Sequence, residues 1–161
     1  MVVDNGNRRE FKTGAVRDID ETKGRCDLLP LDIVSKLFKE GSYENEILNN
    51  LSLWTDYKDD TYIYEAIKVF GEKAPVSEPW FRIEDMILSV SIHYKDGAEK
   101  YEDRNWEKGI PLHSFLDSGV RHLLKFSRGD TDERHDRAFV WNMLGLLWTS
   151  KHKPELDDVK K

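Results

Sequence analysis

Paired carboxylates are the first feature of this sequence that could support chemistry. Glu99 and Glu102 are three residues apart, as are Glu133 and Asp136, and Asp132 adjoins the second pair. Residues three apart share a helix face, so each pair can offer two oxygen ligands to one divalent cation. Acids near a helix N-terminus are also favoured by capping and the helix dipole, which explains the second pair equally well.

A stripe of mixed charge lies between these two acid pairs. Asp117, Arg121 and Lys125 follow at four-residue steps, with Ser118 and His122 beside them. An acid, a guanidinium and an imidazole next to an apolar face could hold a charged ligand. The alternative is a ladder of surface ion pairs, each worth about 0.3–0.5 kcal/mol.

Phosphate donors and an aromatic ring follow the first acid pair. Lys100, Arg104 and Asn105 offer N–H groups, and Trp106 could cover a base. An ordinary helix end with an anchoring tryptophan is an equal alternative. Asn142 lies in the most apolar segment, where an unpartnered buried amide costs about 1–3 kcal/mol. It could contact a nucleobase, although bonding to a neighbouring backbone group is the simpler expectation.

A second metal hypothesis uses histidines. His135 and Asp136 form a two-residue metal-binding dyad, with His122 or His93 as a further ligand. Such sites usually release triphosphate from a nucleotide. The sequence has no phosphate-binding P-loop, no dinucleotide-binding glycine motif, no nucleophile elbow and no His-Glu-x-x-His pair.

Helical periodicity predicts the elements that must position these residues. Apolar spacing indicates a first helix over 28–38 and three stronger helices over 83–101, 112–128 and about 133–149. Gly129 should end the third, and Asp130 should cap the fourth. The fourth is apolar on nearly every face, so we expect it to be the central buried helix.

The remaining segments complete the predicted fold. Residues 1–27 carry no periodicity and are interpreted as an ordered arm, and 40–80 as a probable small insert. Core helices occupy 81–150. We therefore predict a single all-α domain, a helical bundle of about four to six helices with an ordered N-terminal arm and a small insert.

Composition and charge narrow the class of partner. The 161 residues carry a formal net charge of −6, so counterion release favours no duplex nucleic acid partner. A local basic cluster can still bind a small anion, because screening acts over about 10 Å. Cys26 is the single cysteine, which fits a reducing compartment. With no leader and no apolar run near the roughly 20 residues that span a bilayer, we expect a cytoplasmic location and no membrane partner.

Several of these stretches together carry a resemblance to a phage-encoded family. They resemble the dATP/dGTP diphosphohydrolase-like (MazZ-type) family over about two thirds of the chain. The matching core stretches are Gly97 to Tyr101, Arg104 to Glu107, Phe115 to Ser118, Arg121 to Leu123, Gly129-Asp130, Asp132-Glu133, His135 and Trp141-Asn142. The arm is similar to the family's N-terminal signature at Thr13 to Asp18, Lys23 to Arg25 and Asp27 to Pro30.

The resemblance implies an all-α pyrophosphohydrolase that acts on purine deoxynucleoside triphosphates with Mg²⁺ or Mn²⁺. It also implies viral origin, hence the host cytoplasm, and a homo-oligomer. Our hypothesis assigns catalysis to Glu133 and Asp117. The predicted metal ligands are Glu99, Glu102, Asp132, Glu133 and Asp136. The predicted substrate contacts are Lys23, Arg25, Lys100, Arg104, Asn105, Trp106, Arg121, His122 and Asn142.

Two alternatives from other classes remain open. A phage nucleotide domain could bind and sequester an immune signal of the cyclic nucleotide type without cleaving it. The chain could also be an inert interaction module. A nucleotide panel with Mn²⁺, assayed for both loss and retention of ligand, separates these hypotheses.

Overall fold

The fold is a helical bundle with a small strand pair at its N-terminal side. The computed structural model describes residues 8–18, 22–78 and 80–159. Its α-helices are α1 (Leu31–Ser35), α2 (Tyr43–Tyr57), α3 (Thr61–Lys73), α4 (Ile83–Lys100), α5 (Leu112–Arg128) and α6 (His135–His152). The predicted all-α class with an N-terminal arm is confirmed. Within the described ranges, no helix is both long and apolar enough to cross a membrane.

The described part of the arm is a short β-hairpin. Strand β1 (Arg8–Glu10) pairs antiparallel with β2 (Val16–Asp18), and Arg9 lies opposite Arg17. The turn closes where the Phe11 N–H donates to the Ala15 carbonyl, 2.9 Å away. Two three-residue strands are too short to be stable alone, so the hairpin depends on packing against the helices. Residues 1–7 and 19–21 of the predicted arm lie outside the described residues.

Helices α5 and α6 form the centre of the bundle. As predicted, α5 ends at Gly129, whose φ of 92° is left-handed and whose N–H donates to the Lys125 and Phe126 carbonyls. The central position of α6 is also confirmed, since Phe139 and Met143 are fully buried. The predicted start of α6 was wrong. Asp130 accepts hydrogen bonds from Arg128 instead of capping the helix, which begins at His135.

Residues 40–80 form a helical hairpin that joins the main core. The first helix of the hairpin is α2, which Ser42 caps by accepting from the Asn45 N–H. The second is α3. Their buried side chains, among them Trp54 and Phe70, belong to the same apolar cluster as those of α5 and α6. The predicted small insert therefore supplies part of the bundle's interior.

The apolar stripe predicted over 28–38 is helical only in its middle. A short 3₁₀ helix covers Cys26–Leu28, and α1 follows Pro30 for five residues. Val34 packs partly against the core, whereas Leu37 is 80% exposed. Helical spacing identified the apolar positions, but only one side of this segment has helices to pack against.

The close approach of α5 and α6 depends on Gly145. A Cβ at this position would lie 2.3 Å from Cε1 of the fully buried Phe115 ring. We expect Gly145→Ala to lower the free energy of unfolding by about 1–3 kcal/mol, because the ring has no space to move into. Urea unfolding measures the change. Gly97→Ala is the matched control, because no atom lies within 4 Å of its added Cβ. It should instead gain up to about 1 kcal/mol of helix propensity.

Candidate functional site

A cavity of about 300 Å³ collects most of the predicted site residues. It lies between α4, α5, α6 and the arm, and its size suits a small-molecule ligand. The predicted residues that line it are Lys23, Arg25, Lys100, Glu102, Arg104, Asn105, Trp106, Asp117, Arg121, His122, Glu133 and Asn142. Glu99, Asp132 and Asp136 do not line it.

Helix α5 forms the longest wall of this cavity. Asp117, Arg121 and Lys125 line it from successive turns, with Ser118 and His122 beside them. The four-residue spacing that predicted one stripe is therefore the spacing that places these groups along one ligand-sized space. The side chains of Asp117 and Arg121 are 16% and 12% exposed, which argues against a solvent-facing ion-pair ladder.

The cavity is strongly cationic in an acidic chain. Its lysines and arginines are Arg9, Arg17, Lys23, Arg25, Lys100, Arg104, Arg121 and Lys125. Its carboxylates are Asp18, Glu102, Asp117 and Glu133. The first three form ion pairs with Lys100, Lys108 and Arg121. A local excess of positive charge favours an anion at this place, whatever the total charge of the chain.

Arg17 is a central cation of the cavity, and it was not among the predicted site residues. Its guanidinium donates to Ser118 Oγ at 3.1 Å and Asn142 Oδ1 at 3.3 Å. It also lies over the rings of Phe115 and Trp141, 5.8 and 5.6 Å from their centroids. Within the described ranges Arg17 forms no ion pair, and burial lowers the pKa of its guanidinium. A partly desolvated cation held only by neutral groups is suited to an anionic ligand.

Three residues, at the C-terminal end of α4 and just beyond it, hold the arm that carries Arg17. Asn105 pairs with the Val16 backbone in both directions, accepting from its N–H at 2.9 Å and donating to its carbonyl at 2.8 Å. The Tyr101 hydroxyl and Lys100 both bind the Asp18 carboxylate. Lys100 and Asn105 were predicted to contact substrate. Here their polar groups fix the hairpin in place, which positions Arg17.

Other predicted substrate contacts are partly occupied by neighbours. Arg121 donates to Asp117 and to the Gly24 carbonyl, at 2.5 Å each, so Asp117 orients this guanidinium. Asp117 also accepts from the Cys26 N–H at 2.6 Å. The Asp117 bond to Cys26 and the Arg121 bond to Gly24 connect α5 to the segment that follows Lys23. In this structure Asp117 is thus engaged in positioning, although catalysis was predicted for it.

Two further arginines lie at the cavity's rim. Arg25 forms a two-bond pair with Asp27, and Arg104 pairs with Glu107. Both guanidiniums are more than half exposed. An exposed, paired guanidinium contributes less to anion binding than a desolvated one, because solvent and the carboxylate already satisfy it.

Asn142 and the aromatic rings complete the inner wall. Asn142 donates to the Ala138 carbonyl at 2.8 Å while its oxygen holds Arg17, so its amide serves both the helix and the site. Trp106 packs edge-on against Tyr94, with ring centroids 5.8 Å apart. Trp141, Tyr94 and Trp106 offer apolar surface beside the cationic groups, a combination that suits a base attached to phosphates.

The structure does not bring together the five carboxylates predicted as metal ligands. Glu99 is 65% exposed and lies near Lys95, whereas Glu102 pairs with Lys108. Asp136 is buried, but it accepts from Arg134 and from the Arg137 N–H outside the cavity. Residues three apart share a face only within one helix, whereas Glu102 lies beyond the end of α4 and Glu133 lies before the start of α6.

A different cluster brings two histidines to Glu133. His122 Nδ1 lies 2.9 Å from His135 Nδ1 and 3.8 Å from Glu133 Oε1. His135 Nε2 lies 2.7 Å from Asp132 Oδ1. The ligand atoms of His122, Glu133 and His135 all fall within 4.8 Å of one another. Two imidazoles and a carboxylate can hold one divalent cation, and the alternative histidine hypothesis had named His122 and His135.

Burial keeps two imidazoles of the cavity neutral. Burial lowers the pKa of His93 to about 4. Burial, with the neighbouring His135, also holds the pKa of His122 well below its usual value. Neutral imidazoles can accept a hydrogen bond or bind a metal, which protonated ones cannot.

The low pKa of His93 makes stability depend on pH. The unfolded chain binds a proton at this residue below its usual pKa of about 6.5, whereas the folded chain binds one only near pH 4. We therefore expect stability to fall as the pH is lowered from 6.5 to 4. His93→Gln should flatten that fall in urea unfolding measured at several pH values. His152→Gln, at an exposed imidazole, should leave the pH profile as it is.

One family matches the chain by sequence. The family described as dATP/dGTP diphosphohydrolase, N-terminal, matches residues 78–159. This range contains α4, α5 and α6 and thus most of the cavity walls, but it excludes Arg17 and the arm. Neither a curated protein nor a solved structure matches the chain.

Proposed function

Because the chain belongs to the dATP/dGTP diphosphohydrolase N-terminal family, we propose that it hydrolyses purine deoxynucleoside triphosphates to a monophosphate and pyrophosphate. The observation that carries this proposal is the cationic cavity around Arg17. A triphosphate carries several negative charges on closely spaced oxygens, and this cavity offers several donors to such a group. Arg17, Lys23 and Lys125 line it without an ion pair to any described residue.

The aromatic side of the cavity supports a nucleoside at the other end of the ligand. Trp106, Trp141 and Tyr94 line the same space as the cations. A purine presents a larger ring surface than a pyrimidine, so apolar walls of this extent favour purines. The neutral imidazole of His93 adds a hydrogen-bonding group beside these rings.

The family's activity implies a divalent cation, Mg²⁺ or Mn²⁺, and the residues present fit one. His122, Glu133 and His135 would hold it, because their ligand atoms already cluster and Glu133 has no closer ion-pair partner among the described residues than His122. When bound, such an ion offsets phosphate charge and activates water.

The reaction that we propose is attack of water on the α-phosphorus. A P–O bond forms, the bond to the oxygen bridging the α and β phosphorus atoms breaks, and pyrophosphate leaves. Glu133 takes the water's proton, since its carboxylate lines the cavity with only a 3.8 Å contact to His122. Arg17 and Arg121 hold the phosphates, and Asp117 keeps Arg121 oriented.

Sequestration without cleavage is the second candidate function. It is supported by one observation: among the residues that the structure describes, Glu133 is the one cavity carboxylate with no close pairing to a lysine or arginine. A site so poor in free acid suits anion binding at least as well as acid–base chemistry. The ligand would then be a nucleotide immune signal of the cyclic type, held intact.

Incubation with a nucleotide panel tests both candidates. The full chain is mixed with dATP, dGTP, dCTP, dTTP or a cyclic dinucleotide in the presence of Mn²⁺ or Mg²⁺. Anion-exchange chromatography then separates monophosphate, pyrophosphate and triphosphate products. We expect dAMP or dGMP with pyrophosphate from the purines. Triphosphate as the product would favour the histidine–aspartate type of chemistry, and intact ligand recovered from heat-denatured protein would favour sequestration.

A further inference from the structure

The cluster of His122, Glu133 and His135 differs in kind from an all-carboxylate site. Mg²⁺ prefers oxygen ligands, as Mn²⁺ largely does, whereas imidazole nitrogen suits later transition-metal ions such as Co²⁺, Ni²⁺ and Zn²⁺. Two of the three available ligand atoms here are imidazole nitrogens, and their 2.9 Å separation is close to the roughly 3 Å expected for adjacent ligands of one such ion.

A neighbouring carboxylate prepares His135 for metal binding. Asp132 Oδ1 lies 2.7 Å from His135 Nε2, which holds the ring proton on that nitrogen. The Nδ1 atom, which faces His122, is then left with its lone pair. Metal-binding histidines commonly have a carboxylate partner of this kind on the other ring nitrogen, and its loss usually costs about 10- to 100-fold in affinity.

A second possible cluster shares His135 but is less suited to an ion. It combines His135 with Asp130 and Asp132. Asp130 already forms a two-bond pair with Arg128, and Asp132 is 62% exposed. Glu133, in contrast, is 18% exposed and has no cationic partner nearer than His122. The partly buried, unneutralised carboxylate is therefore the better ligand.

We propose that His122, Glu133 and His135 form a metal site that selects transition-metal ions over Mg²⁺, and that Asp132 is its positioning residue. This inference deepens the proposed function and rests on it for the role of the ion. Metal binding itself needs no nucleotide. The residues belong to α5, to α6 and to the loop between them, so the site forms only when the two central helices are packed.

Metal titration without nucleotide tests the proposal. EDTA-treated, dialysed full chain is titrated with MnCl₂, CoCl₂ and MgCl₂ by calorimetry. We expect Co²⁺ to bind at least about tenfold more tightly than Mg²⁺, with Mn²⁺ between the two. Co²⁺ should also give visible absorption and shifted imidazole N–H proton signals that disappear in D₂O. Equal affinity for the three ions, or Co²⁺ binding without imidazole signals, would overturn the inference.

Variants assign the site to these residues. Asp132→Asn should lower Co²⁺ affinity about 10- to 100-fold while leaving the fold intact, because its side chain is exposed. His122→Ala should remove the site. Asp130→Asn is the matched control and should change affinity by less than about threefold. The reverse order, with Asp130→Asn as the damaging change, would contradict the proposal. Tight Co²⁺ binding by a chain that cleaves no nucleotide would contradict the proposed function alone.

Discussion

We expect Glu133→Gln to reduce hydrolysis of dATP or dGTP by about 10²- to 10⁴-fold, the usual contribution of a positioned general base. The amide has the size of the carboxylate but cannot take a proton at neutral pH. It is also a weaker metal ligand. Glu133 makes no close ion pair with any residue in the described ranges, so the thermal unfolding midpoint should change little. Product formation under saturating nucleotide and Mn²⁺ measures the loss.

Two other carboxamide variants show whether the effect belongs to this site. Glu65→Gln, on the exposed face of α3, is the matched control and should be fully active. Glu99→Gln decides between two metal sites. Full activity would agree with its exposed position. A loss as large as that of Glu133→Gln would instead support the metal site predicted from the sequence, in which Glu99 is a ligand. A fully active Glu133→Gln variant would overturn our assignment of the base.

We expect Arg17→Met to weaken nucleotide binding by roughly 10- to 100-fold without destabilising the fold. A charge-assisted hydrogen bond contributes about 1.5–3 kcal/mol, and Arg17 is buried enough for desolvation to lower the pKa of its guanidinium. The effect of Arg17 on the stability of the fold has the opposite sign. A partly buried charge with no ion pair pays for desolvation, so an apolar side chain of similar length should leave stability unchanged or slightly higher.

Affinity and stability are measured on the same samples, by calorimetry with dATP and by urea unfolding. Arg82→Ala, at an exposed arginine before α4, is the control and should change neither quantity. Asn105→Ala should produce part of the Arg17 effect, because it releases the Val16 backbone that positions Arg17. Lower stability with unchanged affinity in Arg17→Met would mean that this guanidinium only supports the fold.

Local pattern determined much of the architecture. The periodicity of α5 and α6, and the left-handed Gly129 that ends α5, depend on residues within one or two turns, so they could be recognised in the sequence. The stripe of Asp117, Arg121 and Lys125 could be recognised for the same reason. The sequence also predicted phosphate contacts from Lys23 and Arg121 and a base-covering ring from Trp106, and all three residues line one cavity.

Long-range packing decided the rest. Arg17 lies in the arm segment whose residues resembled the family's signature, but its place in the cavity depends on hydrogen bonds to Ser118 and Asn142, about 100 or more positions away. The separation of the two acid pairs also depends on packing between segments that are far apart in the sequence. Spacing predicts that Glu99 and Glu102 share a helix face, but α4 ends at Lys100, and only the packing of the bundle determines whether either residue meets Glu133.

The ligands of the candidate metal site show most clearly how helix-face spacing differs from helix packing in what it determines. The sequence by itself determined which residues could share a helix face, since a helix repeats every 3.6 residues. It could not determine which faces meet, because that depends on the free energy of burying every apolar side chain in the bundle at once. The packing of α5 against α6 brought His122 to His135 and Glu133, whereas Asp136 pairs with Arg134, two residues away.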